Sequence, residues 1–196
     1  SNLRGSGFTN PTTGWRKYID EASAVDYYIG MEFMKPVDGN MWASVYMYKQ
    51  RDTSAGAGDG KLFFGPLWDF DLSSGMANRA GNVVSPSGFY LRNNLDTGAQ
   101  QSSKTWFNRL NEDASFREAV KDRWNEIRDE LQPQSFLDAQ EDIIAQSASQ
   151  TYSSFSHSTR YSSVQQIKSN WSADVSYLRS WVGSRKSWLN GSSGFN

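Results

Sequence analysis

The sequence predicts an α+β fold that is mostly α, with a small β-hairpin set among about five helices. Two short strand-like runs, Ala43 to Lys49 and Lys61 to Phe64, flank a Gly-rich piece from Ser54 to Gly60, which is the pattern of a hairpin with a long turn. Apolar residues at helical spacing dominate the chain before and after these runs. The length of 196 residues suits one domain or one large lobe.

The part of the chain before the hairpin predicts a flexible arm and one helix. The first ten residues are polar and Gly-rich, so we expect a flexible N-terminal arm over residues 1–14. A helix is predicted from Glu21 to Met34, because Val25, Ile29 and Phe33 recur at helical spacing and Pro36 ends the segment. The main body is predicted to span residues 15–190, with a C-terminal tail at residues 191–196.

The part after the hairpin predicts an irregular layer followed by helices. Residues 72–103 carry many Gly, Ser and Asn residues, which is typical of loops that bear function. Four helices are predicted to follow. The first runs from Thr105 to Asn111, and the second runs from its N-cap Asp113 to about Leu131. The third begins after Pro133 and carries the apolar residues Phe136, Ile143 and Ile144, and the fourth runs from Trp171 to Leu189 and is stopped by Gly191.

Composition and charge exclude several classes of protein. The net charge is −1 and the pI is about 5.8, so the basic surplus of a nucleic-acid-binding protein is absent. No apolar run approaches the roughly 20 residues that cross a bilayer, and we expect no membrane partner. The chain has no Cys, which excludes disulfides and thiolate chemistry. The single His157, expected to be exposed, argues against a Ser-His-Asp triad or a multi-His metal site.

The aromatic content of the chain is high, at 14% with eight Trp residues. Large rings bury much area each, so we expect them to form the core. The alternative is that some of the Trp and Tyr rings lie exposed and stack on sugars.

Acidic residues flank both ends of the predicted hairpin. Asp38 precedes the first strand, while Asp69 and Asp71 follow the second, so strand pairing is expected to bring them together. In an extended Asp-Phe-Asp segment the two carboxylates point the same way. Converging carboxylates repel each other unless a cation or proton offsets the charge, and a hard divalent cation such as Mg²⁺, Mn²⁺ or Ca²⁺ suits oxygen ligands.

This arrangement matches what phosphoryl transfer requires. One Asp orients the attacking hydroxyl, and a second Asp, on a turn after a strand, holds the metal that bridges the phosphates. Two alternatives stay open: the Asp residues cap turns without any chemistry, or a carboxylate pair hydrolyses glycosides. Glu32, on an apolar helix face, is either a second-shell ligand or a residue at a solvated helix edge.

The order of these segments resembles the CotH kinase family over roughly residues 15 to 190. The element Gly-Pro-Leu-Trp-Asp-Phe-Asp at 65–71 is its most specific part, because it follows a Tyr-rich strand as in the family. Further similar segments are Asp26-Tyr27-Tyr28-Ile29, Val45 to Lys49, Ser87-Gly88-Phe89-Tyr90, Trp106-Phe107, Arg123-Trp124, Trp181, Arg185 and Trp188-Leu189.

The resemblance implies the C-terminal lobe of an atypical, secreted bacterial kinase. Family members include enzymes that phosphorylate Ser in spore coat proteins, and others belong to extracellular or carbohydrate-active assemblies. By position, Asp38 corresponds to the catalytic Asp, and Asp69 and Asp71 to the metal ligands, with Ser44 and Lys49 on the cofactor side. The implied cofactors are ATP and Mg²⁺ (or Mn²⁺ or Ca²⁺), and the implied location is extracellular or at the cell or spore surface.

The chain departs from the family pattern in two ways. Many members carry Asn where Ser44 stands, so binding of a second metal is in question. The chain also shows no Gly-rich phosphate loop and no Lys-bearing strand of an upper lobe. We therefore expect a missing N-terminal lobe or a full-length parent chain as partner, with a protein as the possible substrate and little activity alone. The alternative is a pseudo-kinase or an extracellular module that binds protein or carbohydrate.

Overall fold

The computed structural model describes residues 3–39, 41, 43–52, 60–77, 83–93, 106–154 and 170–196. Residues 54–59 of the predicted turn, residues 78–82 and 94–103 of the predicted irregular layer, and His157 lie outside the described residues. The elements are a 3₁₀ turn at Trp15–Lys17, β1 at Met47–Lys49, β2 at Leu62–Phe64, and helices α1 at Glu21–Met34, α2 at Trp106–Leu110, α3 at Ala114–Ile127, α4 at Pro133–Ser154 and α5 at Trp171–Asn190. The mostly helical α+β class is confirmed.

Helix α1 forms the centre of the fold, and its predicted bounds are confirmed. The Asp20 side chain caps its start by accepting a hydrogen bond of 2.9 Å from the backbone N–H of Ser23. Its end is a left-handed residue, Lys35, whose N–H reaches the carbonyl of Met31 just before Pro36. Half of its residues are buried, because α3, α5 and β2 all pack on it.

The hairpin is shorter than predicted on its first strand. Met47 pairs with Phe64 and Lys49 with Leu62 in an antiparallel ladder. Residues 43–46 lie outside β1, since Ser44 has a φ of 55°, a left-handed conformation that no strand accommodates. Phe64 anchors the hairpin to the helices, because its buried ring packs on Tyr27 of α1 and Phe107 of α2.

The core consists of large aromatic rings, as predicted. Trp15, Tyr28, Phe107, Phe116 and Trp124 are all 1% exposed or less. Tyr28 packs on Phe107 and Phe116 with ring centroids 5.7 and 5.6 Å apart, and Trp15 meets Phe116 edge to face. Such pairs stabilise a core beyond the area they bury, so this cluster is the main link between α1, α2 and α3.

Each terminal segment places an aromatic ring in the core. Phe8 is 6% exposed within the core, and its carbonyl accepts a hydrogen bond from the N–H of Trp15. The Arg109 guanidinium lies over the Phe8 ring and donates to the carbonyl of Leu3. Phe195 is likewise buried in the core. Each terminal segment is polar apart from a few apolar residues, and burial of one aromatic ring is enough to hold it in place.

Helix α4 packs mainly on α5 and leaves apolar residues outside. Phe136, Ile143 and Ile144 are 64%, 73% and 40% exposed, so the apolar residues of this predicted helix do not form a buried face. Among the described helices, none is both long and apolar enough to cross a membrane.

Candidate functional site

Two backbone hydrogen bonds join the turn after α1 to the loop after β2. The N–H of Val37 donates to the carbonyl of Leu72 over 3.0 Å, and the N–H of Ser74 donates to the carbonyl of Met34 over 2.7 Å. These bonds place the turn that carries Asp38 beside the segment that carries Asp69. Strand pairing by itself predicts that these segments approach each other, and the two backbone hydrogen bonds hold them together as well.

Asp69 and Asp71 lie two positions apart in the loop after β2, and their carboxyl groups act on each other. Burial raises the pKa of Asp71, and the charges of Asp69 and Asp38 raise it further. The three acidic side chains therefore act on one another, and a bound cation would offset their negative charge.

Ser44 is the polar neighbour of this acidic group. Its Oγ donates a hydrogen bond of 2.7 Å to Oδ2 of Asp69. Both residues have left-handed backbones, with φ of 55° at Ser44 and 66° at Asp69. For residues with a Cβ this conformation costs on the order of 1 kcal/mol each. Two strained residues in contact at the candidate site suggest that the geometry serves a ligand.

Lys49 lies at the other end of the hairpin. It pairs with Leu62, whereas the chain leaves β2 toward Asp69 after Phe64. Its Nζ donates to Asp52 and to the carbonyl of Gln50. The structure therefore brings together Asp38, Ser44, Asp69 and Asp71, and it does not bring Lys49 to them.

Glu32 is neither a ligand of this site nor a residue at a solvated edge. It is fully buried, and its carboxylate accepts hydrogen bonds of 2.7 and 2.9 Å from the backbone N–H groups of Tyr90 and Arg92. Burial raises the pKa of Glu32 even though Arg185 lies 3.2 Å away and opposes the shift. Arg185 also donates to the carbonyls of Pro86 and Gly88, so this pair holds residues 86–92 against α1.

The oxygen atoms of the site suit a hard cation bound together with phosphates. Within the described residues, no group of three or more acidic, His or Cys side chains is arranged to hold a metal ion. Asp69 and Asp71, with the hydroxyl of Ser44 beside them, offer two carboxylates. Mg²⁺ is often held by one or two carboxylates, with water and substrate phosphates as the other ligands. The donor set therefore fits a cation that arrives with a nucleotide.

Exposed aromatic side chains border the acidic group, in agreement with the alternative that some Trp and Tyr rings lie outside the core. Trp68 is 57% exposed and Tyr46 is 49% exposed, with ring centroids 6.1 Å apart in an edge-to-face pair. Leu67 and Tyr48 are also exposed nearby along the chain. The sequence signal was the Tyr-rich strand, which by itself does not separate an exposed ring from a buried one.

Comparison with known proteins gives one result that covers most of the chain. A family model described as CotH kinase protein matches residues 6–189. No curated protein and no solved structure shows significant similarity to the chain. The matched range includes the acidic group, the hairpin and all described helices, except that it ends one residue before the end of α5. The chain therefore belongs to the CotH kinase protein family.

Proposed function

We propose that this chain is the kinase-like lobe of a phosphotransferase that uses ATP and Mg²⁺, or Mn²⁺ or Ca²⁺, to phosphorylate Ser in a protein. The observation that supports the proposal is the convergence of Asp38, Asp69 and Asp71. Burial is the largest cause of the raised pKa of Asp71, and the two neighbouring Asp residues raise this pKa further. Mutually repelling carboxylates beside a strained backbone are costly to maintain, and a cation–nucleotide ligand explains why they are kept.

Each acidic side chain has a role in the proposed reaction. Asp38 accepts the proton of the substrate Ser hydroxyl while the Ser oxygen forms a bond to the γ-phosphorus of ATP. The bond between that phosphorus and the β,γ-bridging oxygen breaks, which releases ADP. Asp69 and Asp71 would hold the cation, and Ser44 orients Asp69 through its hydrogen bond. When bound, the cation would supply positive charge to the phosphate oxygens.

The exposed apolar side chains of the hairpin suggest where a partner lobe contacts this chain. Tyr46, Met47, Leu67 and Trp68 are each between 38% and 57% exposed on or next to the hairpin. We propose that an N-terminal lobe, which would carry the groups that grip the nucleotide, covers them in the parent protein. A secreted protein at the cell or spore surface fits the family and the absence of Cys, and it belongs to the same proposal.

The test is isothermal titration of ATP into the natural full-length protein, with and without Mg²⁺. We expect cation-dependent binding that Asp69→Asn abolishes. Asp38→Asn should keep the binding but lose transfer of phosphate to Ser, measured by mass spectrometry of the protein substrate. Asp129→Asn is the matched control, because Asp129 is exposed beyond the end of α3. ATP binding that ignores Mg²⁺, or that survives Asp69→Asn unchanged, contradicts the proposal.

A carbohydrate-binding module is the second candidate function. The observation that favours it is the exposed pair of Tyr46 and Trp68, because aromatic faces stack on sugars. Retention on insoluble polysaccharides separates the two candidates. A carbohydrate module requires Trp68→Ala to abolish retention, with Phe136→Ala, an exposed aromatic on α4, as the matched control. A phosphotransferase without sugar affinity predicts no retention for either variant.

A further inference from the structure

A polar cleft of about 700 Å³ lies between α3, the segment at residues 92 and 93, and the turn that follows α5. Three basic side chains line it: Arg92, Arg117 and Lys121. None of the acidic residues of the candidate site belongs to this cleft. The cleft is therefore separate from the candidate functional site.

Arg117 is held in place by a buried support. Its guanidinium donates a hydrogen bond to the backbone carbonyl of Asn111. The Asn111 side chain is itself fixed, because it accepts a hydrogen bond of 3.2 Å from the Tyr28 hydroxyl and donates one of 2.8 Å to the carbonyl of Phe107. Lys121 lies one helical turn further along α3, on the same face as Arg117.

Arg92 reaches the cleft from a separate part of the chain. Its guanidinium lies 4.8 Å from the centre of the Phe89 ring, a cation–π contact. Phe89 is buried and packs on Trp188 and Phe195, with ring centroids 5.0 and 5.7 Å apart. The backbone N–H of Arg92 is bonded to Glu32, so the base of this side chain is fixed as well.

The charge of the cleft is unbalanced in favour of an anion. Among its described lining side chains three are basic and one, Glu118, is acidic, so these side chains together carry a formal charge of +2. Among the described ion pairs, none involves Arg92, Arg117 or Lys121. A phosphomonoester carries about −1.5 to −2 at pH 7, and Arg binds its oxygens with paired hydrogen bonds.

We propose that this cleft binds the phosphomonoester of a phosphorylated peptide. The rest of its lining supports a peptide, because Asn93, Ser192 and Ser193 offer amide and hydroxyl groups for a backbone and the volume exceeds that of phosphate. A nucleic acid requires basic residues along an extended path, and these are gathered in one cleft. Phosphopeptide binding by the cleft does not require the chain to be a catalyst. The role of the cleft, as a site for a product or for an already phosphorylated substrate, rests on the proposed function.

The test is isothermal titration with three probes at low salt: a short phosphoserine peptide with neutral flanks, the same peptide without phosphate, and inorganic phosphate. We expect the phosphopeptide to bind most tightly and the unmodified peptide not to bind. Lys121→Gln and Arg117→Gln should each weaken phosphopeptide binding about tenfold, the effect of losing one charge-assisted hydrogen bond. Arg123→Gln is the matched control, because this residue of α3 pairs with Asp26 and Glu126 outside the cleft.

The outcomes separate this proposal from the proposed function. Asp69→Asn should leave phosphopeptide binding unchanged, whatever it does to ATP. Absence of phosphopeptide binding, or binding unaffected by both Lys121→Gln and Arg117→Gln, overturns the proposal. Inorganic phosphate that binds as tightly as the phosphopeptide overturns the assignment of a peptide. Lys121 is exposed, so its substitution tests the cleft without threatening the fold.

Discussion

The hydroxyl of Ser44 donates a 2.7 Å hydrogen bond to the carboxylate of Asp69, and both residues have left-handed backbones. Ser44 comes before β1 and Asp69 comes after β2, so the contact joins the two chain ends of the hairpin. The hairpin and its backbone hydrogen bonds to the end of α1 therefore keep both residues in this strained conformation and hold the acidic group in one arrangement.

Substitution of Ser44 tests whether this contact serves a ligand. Under the proposed function, Ser44→Ala removes the donor to Asp69 and should weaken Mg²⁺-dependent ATP binding about tenfold. Ser44→Asn should bind at least as well as the wild type, because Asn tolerates a left-handed backbone and supplies an amide. Titration calorimetry measures both affinities, and circular dichroism confirms folding. Equal affinities for the Ala variant and the wild type would show that the bond is structural only.

The buried pair of Glu32 and Arg185 predicts a large loss of stability on substitution. Arg185→Met leaves the Glu32 carboxylate buried without its cation and should lower the free energy of unfolding by about 3–5 kcal/mol, measured by urea denaturation. Arg179→Met is the control on the same helix, since its ion pairs with Asp138 and Glu141 are partly exposed, and it should cost less than about 1 kcal/mol.

A second substitution checks the cause of that loss. Glu32→Gln added to Arg185→Met removes the uncompensated charge and keeps an acceptor for the N–H of Tyr90, so it should restore part of the stability. If the double variant is no more stable than Arg185→Met, the lost hydrogen bonds to residues 86 and 88, and not the charge, determine the effect.

Two neighbouring Tyr residues predict opposite effects of the same substitution. The hydroxyl of Tyr27 is buried without a hydrogen-bond partner among the described atoms, and burial raises its pKa to about 12. Tyr27→Phe should therefore leave stability unchanged or raise it by about 1 kcal/mol. The Tyr28 hydroxyl bonds to Asn111, so Tyr28→Phe should cost about 1 kcal/mol. Thermal and urea unfolding measure both, and a loss for Tyr27→Phe would contradict this account.

Lys35 predicts that stability rises with pH above neutrality. Burial, and then the charge of Arg185, lower its pKa from 10.5 to about 7 in the folded state. Between these values the unfolded chain binds one proton more, so the free energy of unfolding should rise by up to roughly 1.4 kcal/mol per pH unit. A neutral amine keeps two N–H donors, as many as its bonds to the carbonyls of Ser85 and Ser87 require.

A control for this prediction separates the pH dependence of the free energy of unfolding from its overall size. Lys35→Met should be less stable than the wild type at every pH, because two carbonyls lose their donor, but its stability should no longer rise from pH 7 to 10. Lys121→Met, at an exposed position, should keep the rise. Urea denaturation across this pH range is the measurement, and an unchanged slope in Lys35→Met would sink the assignment.

The local features of the fold were predictable from the sequence. Periodicity and a proline set the bounds of α1, and the N-cap residue Asp113 marked the start of α3. The positions of Asp38 and Asp69 at the two ends of a hairpin predicted their approach, and the family match agrees with the motif at 65–71. These features depend on residues that are close in the chain, so the spacing of residue types along the sequence is enough to predict them.

The features that could not be predicted depend on contacts between distant residues. Glu32 and Arg185 are 153 positions apart, and nothing in their local sequence reveals the pair. Spacing could relate Arg117 to Lys121 on α3, but the approach of Arg92 depends on how the loop folds back. Ser44 breaks β1 through its left-handed backbone, although the pattern of Ala43 to Lys49 is that of a continuous strand.

The separation of Glu32 and Arg185 has a consequence for synthesis on the ribosome. Helix α1 emerges early, but its buried acid gains its ion-pair partner Arg185 only when α5 has been made, 153 positions later. At about 5–20 residues per second, this delay is roughly 8–30 seconds. During that time residues 86–92 lack the bonds to Arg185 that hold them against α1, so the nascent chain should stay sensitive to protease until α5 is complete.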